Sequence, residues 1–423
     1  MGSTPPAPLF GAFRRSSGRP SSPAPPHSAA LNRPEPFSVF FSLFRETFPL
    51  TTSAALPTLR ELLRLLRDAK GSDLLLSESH PPMIRTAGEL RAVAAPALDA
   101  VWMEATLSGL LTPEQRETLA QLGEVDFRFK VPGLAHHRAN AFRTVSGLSL
   151  AVRPIPLEIP PPDALGLPPQ IANLAMLESG LVLITGATGS GKSTTMAALV
   201  NHANRTRAAH ILTIEDPIEF VYGPGKSLVR QREVGTHTEG FAPALRAALR
   251  EDPDVIVVGE LRDPESTSLA LEAAETGHLV FGTLHTPSAA DTIERILHMF
   301  PTERAPLIRS SLAQSLETVL SLNLVVRRDG AGRVLAMESL VATAAVRNMI
   351  RDGMTHQLMN VMQTGRAYGM RTMDDHLSEL VEADLITAEA ALTRACDRES
   401  FRNRHPELRE RRAGVLLTAG TTP

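Results

Sequence analysis

The run Gly186-Ala187-Thr188-Gly189-Ser190-Gly191-Lys192-Ser193, with Thr194 behind it, constrains this chain more than any other stretch. It fits G-x-x-x-x-G-K-[ST], with an apolar run, LVLIT, before it and a helix-forming run, TTMAALV, after it. A strand, a glycine-rich loop and a helix in that order form a phosphate cradle. The glycines let successive backbone N–H groups converge on an anion, and the helix N-terminus adds a favourable field. Lys192 supplies a mobile point charge for the terminal phosphates of a nucleotide, and the Ser193 hydroxyl suits Mg²⁺. Composition sharpens this reading. Lysine and arginine total 43, yet only Lys70, Lys130, Lys192 and Lys226 are lysine. In a chain that otherwise uses arginine, a lysine at this position points to chemistry that a planar guanidinium would serve badly.

Acidic residues follow at matching places. ILTIEDP puts Glu215, and VIVVGE puts Glu260, at the end of an apolar run that reads as a buried strand. Ligands of open α/β sheets gather beyond the C-terminal ends of the strands, so both acids are expected at the cradle. Glu260 takes the metal-holding role with Ser193, and Glu215 is the candidate for polarising the attacking water. An isolated acid of this kind would read as a helix cap or a solvated charge; two in sequence behind a phosphate loop favour function. His278 and His285 bracket a further apolar run, GHLVFGTLH. Zinc is a poor reading, because no cysteine accompanies them. Structural histidines or a phosphate-sensing pair remain.

The 423 residues exceed one ordinary domain. Residues 1–56 are proline-rich and read as a disordered extension, within which FSVFFSLF (37–44) is either a membrane-surface or partner-docking segment or, preferably, an unpacked tail or sequence translated upstream of the true start. Residues 57–154 read as a small α+β domain: Thr58 with Glu61 and Thr112 with Gln115 have capping-box spacing, Gly71 ends the first helix, and SDLLLS, VDFRFKV and HRANAF read as strands. The proline-rich stretch 155–169 is expected to be a linker and hinge. Alternating strands and helices over 170–345 predict an α/β domain with a parallel sheet. Residues 346–400 read as helical and 401–423 as a solvated tail or helix. The lone Cys396 excludes an internal disulfide framework, and the net charge of −3 argues against a nucleic-acid coater. No apolar stretch reaches the length of a membrane span, and the start carries no secretory signal, so a cytoplasmic protein is expected.

ATGSGKSTT, TIEDPIEFVY, ALRAALREDPDVIVVGELRD and ETGHLVFGTLHT, in this order, resemble the Walker A, Asp-box, Walker B and His-box motifs of the secretion and pilus ATPases. Within that group they are most similar to the type IV pilus retraction ATPases. SDLLLS…PPMIR, AVRNMIRDGMTHQL and GMRTMDDHL extend the likeness from about residue 57 to 390. The resemblance implies a PAS-like N-terminal domain, a RecA-like ATPase domain with a helical C-terminal region, and a homohexameric ring. It implies catalytic Glu215 and Glu260 and phosphate-coupled His278 and His285. Arg138 and Arg153 would complete the nucleotide site at the subunit boundary. A third family arginine is replaced near Ser146, where Arg143 stands close enough in sequence to substitute. Implied partners are an inner-membrane pilus platform protein, which would hold the ring at the membrane, and paralogous pilus ATPases. Pilus extension, type II secretion, or a weakly active nucleotide-binding subunit of a retraction motor are the alternatives. The single cysteine argues against the first two, whose members usually carry a zinc-binding cysteine cluster.

Overall fold

The computed structural model describes residues 56–408 apart from Ala87 and Leu157. The proline-rich extension, with its FSVFFSLF run, and residues 409–423 lie outside the described residues.

Thr58 caps the helix Leu59–Asp68: its hydroxyl accepts from the Glu61 N–H, and Glu61 reaches back to the Thr58 N–H. Leu62, Leu63 and Leu66 are buried on one face of that helix. The helix ends differently from expectation. Lys70 takes the left-handed conformation (φ 50°), and Gly71 does not. Gly71 is needed for space instead, since a Cβ there would lie 2.7 Å from both Ile84 Cγ2 and Leu66 Cδ1. The second capping box, Thr112 with Gln115, opens the helix Pro113–Leu122, which Gly123 closes at φ 82°.

These helices, with Ala100–Leu110, cover an antiparallel sheet of six strands. In chain order the strands are β1 (Asp73–Ser77), β2 (Met83–Thr86), β3 (Glu89–Ala92), β4 (Glu124–Lys130), β5 (His136–Thr144) and β6 (Gly147–Pro154). They lie side by side as β3-β2-β1-β6-β5-β4. Alternation buries Leu74, Leu76, Ala139, Ala141, Leu150 and Val152 on the covered face.

The stretch 155–169 is not a free tether. Ile155, Ile159 and Leu167 are buried, and Ile159 packs on Ala197 and Phe220, strapping the stretch across the helix that follows the phosphate loop.

The second sheet has seven strands in the order β13-β12-β7-β11-β10-β8-β9. They are β7 (Gly180–Thr185), β8 (His210–Glu215), β9 (Leu228–Glu233), β10 (Val255–Val258), β11 (Leu279–Thr283), β12 (Leu316–Val326) and β13 (Arg333–Val341). All pairs are parallel except β12 with β13. Every residue of β7, β10 and β11 is buried, which is why their sequences read as unbroken apolar runs. After β7 the chain crosses over β11 and β10 to reach β8, so a crevice opens above the C-terminal ends of β7 and β11. This is the RecA-like α/β arrangement expected.

Short helices, from Ala344–Arg351 to Arg398–Arg404, close the described chain. The expectation of a tail from residue 401 is corrected here. Phe401 is fully buried against Met373, Leu377 and Leu380, and His405 Nε2 lies 3.1 Å from Ser378 Oγ. Apolar periodicity over one short helix was too brief to reveal this. Phe401→Ala removes that anchor, at a cost of about 3–5 kcal/mol. The expected result is faster proteolysis between Arg398 and His405, with ATP affinity unchanged; unchanged protection would contradict the packing.

Candidate nucleotide-binding site

β7 delivers the chain to Gly186 at φ 136°, where a Cβ would lie 2.5 Å from the Leu322 carbonyl oxygen. Gly189 and Gly191 also have positive φ, at 77° and 99°. The loop therefore curls tightly before the helix Lys192–Thr206. Ala187, Thr188 and Gly189 are exposed, whereas Ser190 is buried with its hydroxyl unpaired among the described residues. Lys192 is buried, and its Nζ donates to the carbonyls of Gly186 (2.7 Å) and Ala187 (3.1 Å). Burial pulls its pKa below the usual value, opposed by the charges of Glu260 and Glu219. The ammonium is thus held by weak neutral acceptors at the mouth of the loop, ready to exchange them for phosphate oxygens.

Lys192, Ser193, Thr194, Glu215 and Glu260 line one cavity of about 620 Å³, the size of a nucleotide-class site. Glu215 ends β8. Its Oε1 accepts from Thr213 Oγ1 at 2.6 Å and Gln231 Nε2 at 3.0 Å. Burial raises its pKa despite those bonds and one from the Glu219 backbone, and the Glu219 charge adds a smaller push upward. Glu260 differs. Burial works against its charge, but the hydrogen bond and charge of Arg262, together with His285, hold its pKa below the usual value. Arg262 Nη2 is 2.7 Å and His285 Nε2 3.2 Å from Glu260 Oε2. The two carboxylates are therefore pushed apart in basicity, one toward a proton acceptor and the other toward a fixed anion. Ser193 and the ionised Glu260 fit a magnesium ion, which needs few protein ligands when phosphates supply the others.

His285 sits between the parts: its Nδ1 is 3.4 Å from Lys192 Nζ. The next residue, Thr286, is fastened to the end of β7, since Thr185 Oγ1 accepts from the Thr286 N–H at 3.0 Å. His278 is different. It precedes β11 and bonds around Ala273 and Thr276 at the other end of the strand, roughly 20 Å from the cavity at strand rise. The pairing of both histidines at one phosphate edge is corrected: a strand between two residues puts them at opposite edges.

Arg138 and Arg153 reach the same cavity from the uncovered face of the first sheet, where they are register partners on β5 and β6. Both belong to the same chain as the phosphate loop and line the cleft between its two sheets. Arg153 Nε and Nη2 bond Asp73 Oδ1 at 2.9 and 2.7 Å. Arg143 does not line this cavity. Strand alternation turns it to the face opposite Arg138, and it lies near the hairpin end that holds Ser146. Sequence reading missed Arg262, Glu219 and the aromatic wall of Phe220, Tyr222 and Phe241. Arg262 and Glu219 lie within quoted motifs, each a few residues beyond a chosen acid, and that proximity was the available signal.

A family model described as "Type II/IV secretion system protein" matches residues 138–414. The chain is 50% identical over 320 residues to a "Twitching motility protein" of Neisseria gonorrhoeae, covering 76% of this chain and 86% of that one. It is 47% identical over 341 residues to the "Type IV pilus retractation ATPase PilT" of Pseudomonas aeruginosa, covering 81% and 99%. A solved structure of the pilus retraction motor PilT with bound ADP superimposes with a TM-score of 0.77 at 42% identity, covering 81% of this chain and 98% of that one.

Proposed function

We propose, from the premise that this chain belongs to the type II/IV secretion system protein family, that its cleft drives type IV pilus retraction and hence twitching motility. The protein is an ATPase, and its loop 186–193 is the part that would cradle the nucleotide's phosphates. The observation that carries the reading is the single cavity that joins Lys192, Glu215 and Glu260 to Arg138 and Arg153 of the other sheet.

Lys192 and the loop N–H groups hold the β- and γ-phosphates. Magnesium bound with ATP would neutralise phosphate charge, and Ser193 and Glu260 are the residues that would hold it. Glu215 orients a water and takes its proton as the water oxygen bonds to the γ-phosphorus. The bond from that phosphorus to the bridging oxygen breaks, leaving ADP and phosphate. His285 spans Lys192 and Glu260, and so can sense loss of the γ-phosphate. Arg138 and Arg153 meet the phosphates only while the first sheet closes on the cleft. Nucleotide state then sets the angle between the sheets, and a ring of six copies turns that angle into a pull on pilin through an inner-membrane platform protein. Paralogous ATPases could share such a platform.

Deleting the gene tests the reading. Cells should keep surface pili and lose twitching, by microscopy and by spreading on agar. Cells that lose their pili would assign the engine to extension instead.

A further inference from the structure

Arg128, Arg138 and Arg153 are direct register partners on β4, β5 and β6. Three like charges side by side on one face repel one another, so the row needs compensation. At one end, Arg153 has Asp73. In the middle, Arg138 is exposed and makes no ion pair among the described residues. At the other end, Arg128 crosses to the second sheet, where its Nε lies 3.0 Å from Glu233 Oε1.

Glu233 is an unusual anchor. It is 7% exposed and ends β9 as the register partner of Glu215 on β8. Its other oxygen, Oε2, accepts from the Ile218 N–H at 2.8 Å, and Oε1 also accepts from Thr236 Oγ1 at 3.2 Å. Ile218 belongs to the stretch after β8 that supplies Asp216, Pro217, Glu219 and Phe220 to the cavity wall. One buried carboxylate therefore holds both the first sheet, through Arg128, and the acid-bearing wall of the nucleotide cavity. Leaving either partner alone would strand a charge at a half-buried boundary.

We infer that the Arg128–Glu233 ion pair is a strut across the cleft, a positioning pair that fixes the closed angle at which Arg138 faces the phosphates. This rests on the reading of the cleft as an ATP-hydrolysing site. The strut acts on turnover rather than on capture of nucleotide. The loop 186–193 binds phosphate whatever the angle, whereas Arg138 is aimed only when the strut is made.

ATPase kinetics of the full-length protein test it. Arg128→Ala should lower kcat by about tenfold, since an ångström-scale misplacement costs that much or more, while KM and the affinity for a fluorescent ATP analogue change less than about twofold. Arg128→Lys should recover most of the rate. Glu233→Gln keeps an acceptor for Ile218 and loses the charge and the acceptor that Arg128 and Thr236 share. It should match Arg128→Ala, and the double variant should be no slower than either single one. A normal kcat for Arg128→Ala, additive losses, or a loss not recovered by lysine would overturn the strut. A Lys192→Ala control separates the two levels: if that variant hydrolyses ATP normally, the cleft itself is misread. If it is inactive while Arg128→Ala is normal, only the strut falls.

Discussion

Lys192→Ala is expected to lower ATP turnover by at least about a hundredfold, the scale seen when a donor that meets developing charge is removed. The ammonium is buried and its two closest acceptors are the carbonyls of its own loop, at 2.7 and 3.1 Å. Those carbonyls repel a phosphate unless a cation intervenes, so alanine removes an attraction and also exposes a repulsion. Burial already lowers the pKa of Lys192, and the charges of Glu260 and Glu219 oppose that fall. With alanine in place, the two acids face the phosphates across the cavity with one cation fewer. Lys192→Arg should also fail, because a rigid fork cannot follow the migrating charge as a point ammonium does. Purified wild type and both variants should be compared by phosphate release and by thermal melting. Equal rates in the wild type and Lys192→Ala would remove the loop from the mechanism. A large fall in melting temperature without nucleotide would make the lost rate a folding effect.

The parts of the site that could be read from sequence share one property: their position follows from local chain geometry. Lys192 opens a helix behind a glycine loop, and Glu215 and Glu260 end or follow buried strands, so the sheet's polarity alone sends all three to one edge. His278 and His285 show the same rule at work against a reading. Motif likeness grouped them, but the five residues of β11 stand between them and force them to opposite edges. Strand pairing between distant segments was not legible. Arg128, Arg138 and Arg153 form a row only because β4, β5 and β6 pair in one register, and no spacing along the chain encodes that register. The burial of Phe401 was hidden for a similar reason: its partners lie on the helix Met373–Glu382, about twenty residues earlier, and one aromatic in a basic segment carries no period.

Glu215→Gln should be the other severe loss, again of at least about a hundredfold in kcat, with ATP affinity preserved. Glutamine keeps the shape and can still accept from Thr213 and Gln231, the two donors that fix the carboxylate at 2.6 and 3.0 Å. What it cannot do is take a proton. The wild-type rate carries a second signature of the same residue. Burial raises the pKa of Glu215 above the reference value of 4.5, and a base works only when unprotonated. Turnover should therefore fall as pH drops through that raised pKa, at a pH above the range where an ordinary carboxylate titrates. Glu260 moves the other way. Burial opposes its charge, but Arg262 and His285 hold it below 4.5, so it stays ionised through the same range. Thr213→Val removes one donor to the Glu215 anion and should shift the acidic limb further upward. Arg262→Ala should leave that limb in place and instead raise the magnesium concentration needed for half-maximal rate. If Arg262→Ala moves the limb and Thr213→Val does not, the titrating base is Glu260 and the two carboxylates exchange roles.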